Sequence, residues 1–235
     1  MELSNARVLV TGGGTGIGRA TAALCVQRGA RVAICGRTEP RLREAAAAIG
    51  ATPFVCDVSR EDDVKRLVEA VAAGLGGLDV LVNNAGAGTF APLVESSAED
   101  FRRTWETNTL GAFLVGRECA RRFVPAKKGT IVNVGSTAAR RGFAGGSAYC
   151  ASKFALSALT ECWRAELRGS DVRVMQVDPS EVQNDFGVHA GRPARKALNP
   201  SKLVSEDIAR AIVALLEMDD RAFSPGLEVW ATNPR

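Results

Sequence analysis

The chain has 235 residues, 46% apolar and 24% charged, with a formal net charge of +4. That length buries a good core without staples and fits one domain; the basic residues sit in short pairs, at Arg102, Arg121, Lys127 and Arg140, which gives no electrostatic footprint for nucleic acid or a membrane surface. The six cysteines fall singly, without a Cys-x-x-Cys and with one histidine in the chain, so a metal site lacks ligands.

Short apolar runs alternate with longer helical patterns throughout, which predicts an α/β doubly wound domain over 1–235. Its parallel sheet would have about seven strands and helices on both faces. In order, a strand at 7–11 leads into a helix at 17–28 closed by Gly29, then a strand at 31–35 and a helix at 41–49. A short strand at 52–56, a helix at 62–73 and a strand at 78–82 follow. One long helix is expected over 98–123, with Ser96 and Glu99 at capping-box spacing. The run Thr130-Ile-Val-Asn-Val134 is a buried strand aimed at Ser136, and a helix carrying Tyr149 runs to Leu167. A strand at 172–177, a helix capped by Ser205 with Glu206 and Asp207 in its first turn, and a strand at 227–230 complete the pattern. The cysteines read as small buried hydrophobes in a reducing compartment. No signal-peptide pattern follows Met1 and no apolar run reaches membrane-span length, so a cytoplasmic protein is expected.

Between the first strand and helix lies Thr11-Gly12-Gly-Gly14-Thr15-Gly16-Ile17-Gly18. Glycines there let the backbone turn tightly and approach a pyrophosphate whose charge faces the helix N-terminus. The bland alternative is an ordinary tight β–α turn. The second strand ends Cys35-Gly36-Arg37-Thr38, with no acid to grip a ribose 2′-OH. Arg37 offers a planar, permanently charged fork suited to a 2′-phosphate, so NADP(H) is expected over NAD(H). Glu39 nearby counts mildly against this, and Arg37 has a second reading as a solvated charge.

Tyr149, the one tyrosine, precedes Lys153 by a helical turn, so phenol and ammonium share a face. A free tyrosine titrates near ~10, and bringing it to about 7 takes roughly 4 kcal/mol of differential stabilisation. A lysine and an oxidised nicotinamide would share that work, making Tyr149 a general acid toward a carbonyl oxygen or a base toward an alcohol. Ser136 would donate a hydrogen bond to the same oxygen. Alone, Tyr-x-x-x-Lys is a common helical accident; the serine and the glycine loop together reverse that reading.

The glycine loop, Asp57-Val58, Asn83-Asn84-Ala85-Gly86, Asn108, Ser136, Tyr149 and Lys153 occur in an order and spacing that resembles the short-chain dehydrogenase/reductase family. Pro179-Ser180-Glu-Val182, Asn199-Pro200 and Trp230-Ala-Thr-Asn-Pro234 look like its 3-oxoacyl-(acyl carrier protein) reductase-like branch. The resemblance implies a Rossmann domain that reduces a ketone or aldehyde with NADPH, or reverses that oxidation, with a 3-oxoacyl thioester among the candidate substrates. It further implies Asp57 and Val58 at the adenine, Asn84, Ala85 and Gly86 along the cofactor, and Pro179 and Val182 at the nicotinamide. Asn108 would hold a water relaying protons from Lys153; its other reading is a satisfied core polar group, as Asp57's is a turn residue before a Ser59 N-cap. Ser180 departs from the family's usual glycine. A substrate lid is expected over 184–203, carrying Phe186, His189, Arg192, Arg195 and Lys196, and Thr89, Phe90, Thr137 and Phe143 are expected as pocket walls. Homotetramers or homodimers through the long helices are common in the family. Two rivals stand beside this reading, an NAD-linked alcohol dehydrogenase and a non-catalytic NADP-binding regulator.

Overall fold

The computed structural model describes residues 1–184, 186 and 198–233. Its strands are β1 (Arg7–Thr11), β2 (Arg31–Gly36), β3 (Thr52–Val55), β4 (Val80–Asn83), β5 (Gly129–Val134), β6 (Val172–Pro179), β7 (Val182–Gln183), β8 (Leu203–Val204) and β9 (Gly226–Val229). Seven of them form one all-parallel sheet in the order β3-β2-β1-β4-β5-β6-β9, while β7 and β8 pair only with each other. The helices are α1 (Gly16–Gln27), α2 (Glu39–Ile49), α3 (Glu61–Leu75), α4 (Ala98–Trp105), α5 (Ala112–Ala126), α6 (Ser147–Leu167) and α7 (Ser205–Leu216).

Alternate residues of each strand feed opposite faces, and both faces are covered, so the strands read as continuous apolar runs. Val8, Val10 and Ile34 pack with Ala22 and Cys25 of α1 and with Ile208 and Ile212 of α7. Leu9, Ala33 and Ile131 pack with Val64 and Val71 of α3, Phe123 of α5 and Trp163 of α6. Arg7 ties the start of β1 to the start of β4: its Nε and Nη2 each donate to the Asp79 carboxylate at 2.7 Å. Burial pushes Asp79 up, but the Arg7 bonds outweigh it and hold the carboxyl below its ordinary range.

Most expected elements stand within two residues of their predicted ends, the usual uncertainty of a helix or strand boundary. The long helix expected over 98–123 is the main correction. It is broken into α4, a π-helical stretch at Glu106–Gly111 and α5. Gly111 is where the wider turn meets β3's exit loop, since a Cβ there would stand 2.7 Å from Val58 Cγ2. The cap of α4 is Ser97, which accepts the Asp100 N–H at 3.0 Å; Ser96 spends its hydroxyl on Ala91 O and Pro92 O. Likewise α7 is capped at Val204, whose N–H donates to Asp207 at 3.0 Å, leaving Ser205 inside the helix. Arg60, not Ser59, caps α3. Five cysteines are buried as expected, and Cys162 is exposed. Among the described residues no helix is long and apolar enough to cross a membrane, and no cluster of three metal-ligating side chains occurs.

Candidate active site

The sheet's order reverses between β1 and β4, the place where a doubly wound fold opens a crevice at its strand ends. The crevice is braced from within. Asn84 and Ala85 donate their backbone N–H groups to Thr11 Oγ1 at 3.0 and 2.9 Å, and the Asn84 amide donates to Thr11 O at 2.9 Å. Asn83 reaches back to Ala112 O at 2.9 Å. Gly12 and Gly16 take φ of 65° and 50°, which a side chain would strain. The helix they introduce, α1, has Thr15 as a cap without a side-chain cap bond and no acid in its first turn. Its N–H groups and dipole therefore face the crevice ready for an anion.

A cleft of about 620 Å³ starts there. Gly12, Gly14, Thr15, Gly16 and Ile17 form its middle, and Arg37, Asp57 and Val58 one end. Asn84, Ala85 and Gly86 carry it across to Ser136, Tyr149, Lys153, Pro179 and Val182 at the other. Size, glycine turn and open helix end fit a dinucleotide. At the Arg37 end, Glu39 is engaged by Arg43 at 2.8 Å, and its charge is turned along α2. Asp57 is held by Ser59, whose N–H and hydroxyl donate to it at 3.0 and 2.7 Å, so it is a turn residue and a wall of the cleft at once.

At the far end Lys153 is buried and its Nζ donates to Val134 O at 2.8 Å, 5.8 Å from the centroid of the Tyr149 ring. Burial pulls its pKa down to about 8, against the opposing charge of Asp178. Ser136 closes β5 with its Oγ accepting the Ala138 N–H at 3.1 Å. An accepting hydroxyl keeps its own proton for donation. The Tyr149 ring contacts those of Phe90 and Phe186, at 5.6 and 5.5 Å between centroids, and Phe143 in turn lies 5.9 Å from Phe90. The first turn of α6 is pinned by Ser152, which donates to Tyr149 O at 2.7 Å and accepts from the Asn108 amide at 2.9 Å. Asn108 also exchanges bonds with both backbone groups of Ala87, at 2.7 and 2.8 Å.

A family model described as short chain dehydrogenase matches residues 6–192. The chain belongs to that family. This short-chain dehydrogenase is 35% identical over 212 residues to the 3-oxoacyl-[acyl-carrier-protein] reductase of Bos taurus, covering 88% of this chain and 90% of that one. Its structure resembles 3-ketoacyl-(acyl-carrier-protein) reductase from Brucella melitensis complexed with NADH, at TM-score 0.90 and 28% identity over 98% of both chains. It also resembles the alcohol dehydrogenase of the archaeon Thermococcus sibiricus complexed with 5-hydroxy-NADP, at TM-score 0.88 and 26% identity over 97% of both. A 3-oxoacyl-carrier-protein reductase is thus among the similar proteins both in sequence and in structure.

Within the dehydrogenase's cleft, two expected residues act from behind the surface. Gly18 does not line it; a Cβ there would lie 2.4 Å from Gly12 O and from the Asn84 amide, so its role is the close packing of α1 under the loop. Asn108 is buried, its amide donating to Ala87 O and Ser152 Oγ and its Oδ1 accepting the Ala87 N–H, the bonding of a satisfied core polar group. Thr89 pairs its hydroxyl with that of Thr104 at 2.9 Å and Thr137 opens the 3-10 turn after Ser136; neither they nor Phe90 and Phe143 line the cleft itself. Ser180 has no left-handed backbone and its N–H donates to Val229 O at 2.9 Å, so the missing glycine imposes no strain. His189, Arg192, Arg195 and Lys196 lie outside the described residues. Arg41, Arg103 and Thr107 also line the cleft without having been expected there, as does Asn184, expected only as the first residue of the lid, and Ser152 lies beneath it. Arg41 follows Arg37 by four residues, but Arg37 lies before α2, so no helical spacing linked the two; Asn184 lies against Gly16 through a fold of the chain that no local pattern announces.

Proposed function

We propose that this dehydrogenase reduces an apolar ketone or aldehyde with NADPH, reversibly, and that Tyr149 is its general acid and base. One observation carries this: Ser136, Tyr149 and Lys153 converge at one end of a cleft whose other end carries Arg37 and Arg41. NADPH held along the cleft would supply a hydride to the carbonyl carbon. The Ser136 hydroxyl donates to the carbonyl oxygen and fixes it. Tyr149 passes its phenolic proton to that oxygen. Lys153 stabilises the phenolate left behind, since an ammonium nearby favours the charged form. Its pKa of about 8 keeps it mostly protonated at neutral pH.

Arg37 and Arg41 at the ribose end favour a 2′-phosphate, which supports NADP(H) over the NAD-linked reading. Phe90 and Phe186 flanking Tyr149 favour apolar substituents on the carbonyl, and a 3-oxoacyl thioester is one such substrate. The retained triad speaks against a non-catalytic NADP-binding regulator. The protein is read as one domain with a lid over 184–203, cytoplasmic, and a homotetramer or homodimer. The apolar side chains of Phe101, Trp105, Leu110 and Phe154, all more than a third exposed, supply the assembly surface.

The test is loss of nicotinamide absorbance with NADPH and with NADH against a β-ketoacyl thioester, an aromatic diketone and a β-keto ester. Turnover preferring NADPH is expected, and Arg37→Glu should lower kcat/KM for NADPH by about tenfold or more, the scale of a lost charge-assisted contact. An NADH preference unchanged by Arg37→Glu overturns the cofactor assignment.

A further inference from the structure

Asp178 is a carboxylate with no exposed surface, next to the site but outside the triad. A buried carboxylate is costly unless its oxygens are well bonded. Its Oδ1 accepts two hydrogen bonds, from the Ser136 backbone N–H at 2.9 Å and from the Gln176 amide at 2.7 Å. The same Gln176 nitrogen donates to Ser157 Oγ on α6, one turn beyond Lys153, at 2.7 Å. Oδ2 has no hydrogen-bond partner; the Arg140 guanidinium stands 3.6 Å away and is half exposed, a poor geometry for an ion pair that stabilises the fold.

The position along β5 explains the arrangement. The ladder between β5 and β6 makes its last main-chain bond at Gly135, whose N–H donates to Val177 O at 2.8 Å. Ser136, one residue further on, lies beyond the strand pairing, and its N–H goes to the Asp178 carboxylate. Gly135 makes this reach possible, because a Cβ there would lie 2.0 Å from Asp178 Oδ1. With its N–H held by Asp178 and its Oγ held by the Ala138 N–H, the serine is fixed at both ends. Burial pushes the Asp178 carboxyl up, against the Gln176 and Ser136 bonds and the charges of Arg140 and Lys153.

We propose that Asp178 is a positioning residue: its carboxylate seats the Ser136 main chain where strand pairing ends and thereby aims the serine hydroxyl at the substrate oxygen. This rests on the reading of Ser136 as the donor to that oxygen. A misaimed catalytic group costs about tenfold or more in rate.

The experiment compares the full-length wild type with Asp178→Leu, Asp178→Asn, Ser136→Ala and the Ser136→Ala/Asp178→Leu double variant. It reads kcat, the NADPH dissociation constant and amide exchange at Ser136. Asp178→Leu should lower kcat about tenfold or more and speed Ser136 exchange by a similar factor, with cofactor affinity within about twofold. Asp178→Asn, which keeps the acceptor, should stay within about threefold of wild type in both kcat and exchange. In the Ser136→Ala background, Asp178→Leu should add no further loss, because residues acting through one another are not additive. Unchanged exchange in Asp178→Leu, losses that multiply in the double variant, or an asparagine variant as impaired as the leucine one each overturn the proposal. Should the leucine variant not fold, Gly135→Ala displaces the carboxylate instead; the same fall in kcat is expected, and full activity overturns the idea. A Ser136→Ala protein with wild-type kcat sinks the functional reading of the serine, while the exchange result still decides the seat.

Discussion

Lys153 sits at 5% exposure with one strong acceptor, Val134 O, and its charge is partly unpaid for by water. Burial holds its folded pKa near 8, below the 10.5 of an exposed lysine. Between those values the unfolded chain binds more protons than the folded one, so the contribution of Lys153 to stability rises with pH from about 8 to about 10.5. Over the whole window the gain is roughly 3 kcal/mol at 1.36 kcal/mol per unit. Lys153→Met should remove it, which shows as a smaller rise in unfolding free energy across that window than wild type gives in matched denaturant titrations. A parallel dependence in both proteins contradicts the burial argument. At this scale the triad was legible because it combines a sole tyrosine, a helical spacing and a serine at a strand end. Ser152 and Asp178 were not, since their partners, Asn108 and the Ser136 backbone, come from elements far along the chain and only the fold brings them together.

The elements themselves answer to periodicity, and periodicity has blind spots. Residues 98–123 read as one helix because their pattern stays helical throughout, and nothing local signals the π turn at Glu106–Gly111. That turn follows from tertiary contacts, Gly111 on Val58 and Asn108 on Ala87. Ser96 and Ser97 were equally good caps by type; the loop's need for a donor to Ala91 and Pro92 chose between them. The crossing of α5 and α6 makes its own prediction. A Cβ at Gly116 would stand 2.8 Å from the Trp163 ring, and that ring is itself packed in the core beside Val115 and Cys119. Gly116→Val should therefore cost about 1–3 kcal/mol through overpacking, read as a lower denaturation midpoint at unchanged slope. No change in midpoint means the two helices separate freely, against the packing described.

For the whole molecule, the alternation of apolar runs and helices was enough to foresee the parallel sheet and its crevice, because each parallel connection demands a crossover. Strand order was not readable from the residues; it follows from which faces α1, α7, α3 and α5 cover. Phe101 and Trp105 lie one turn apart on α4, with Leu110 in the π turn and Phe154 on α6, which packs against α4; each is more than a third exposed. Sedimentation should give a dimer or tetramer, and Phe154→Glu should shift it toward monomer; a wild-type monomer at micromolar concentration contradicts the assembly reading.

In the proposed function one cleft both holds the dinucleotide and delivers the Tyr149 proton, two roles that a single variant separates. The most direct measurement pairs NADPH affinity, by cofactor fluorescence, with single-turnover rates for wild type and Tyr149→Phe on the same carbonyl substrate. A dissociation constant within about twofold of wild type is expected in the variant, with a rate lower by at least about a hundredfold, the share general acid catalysis commonly supplies. A variant that binds NADPH equally and turns over at the wild-type rate contradicts that function.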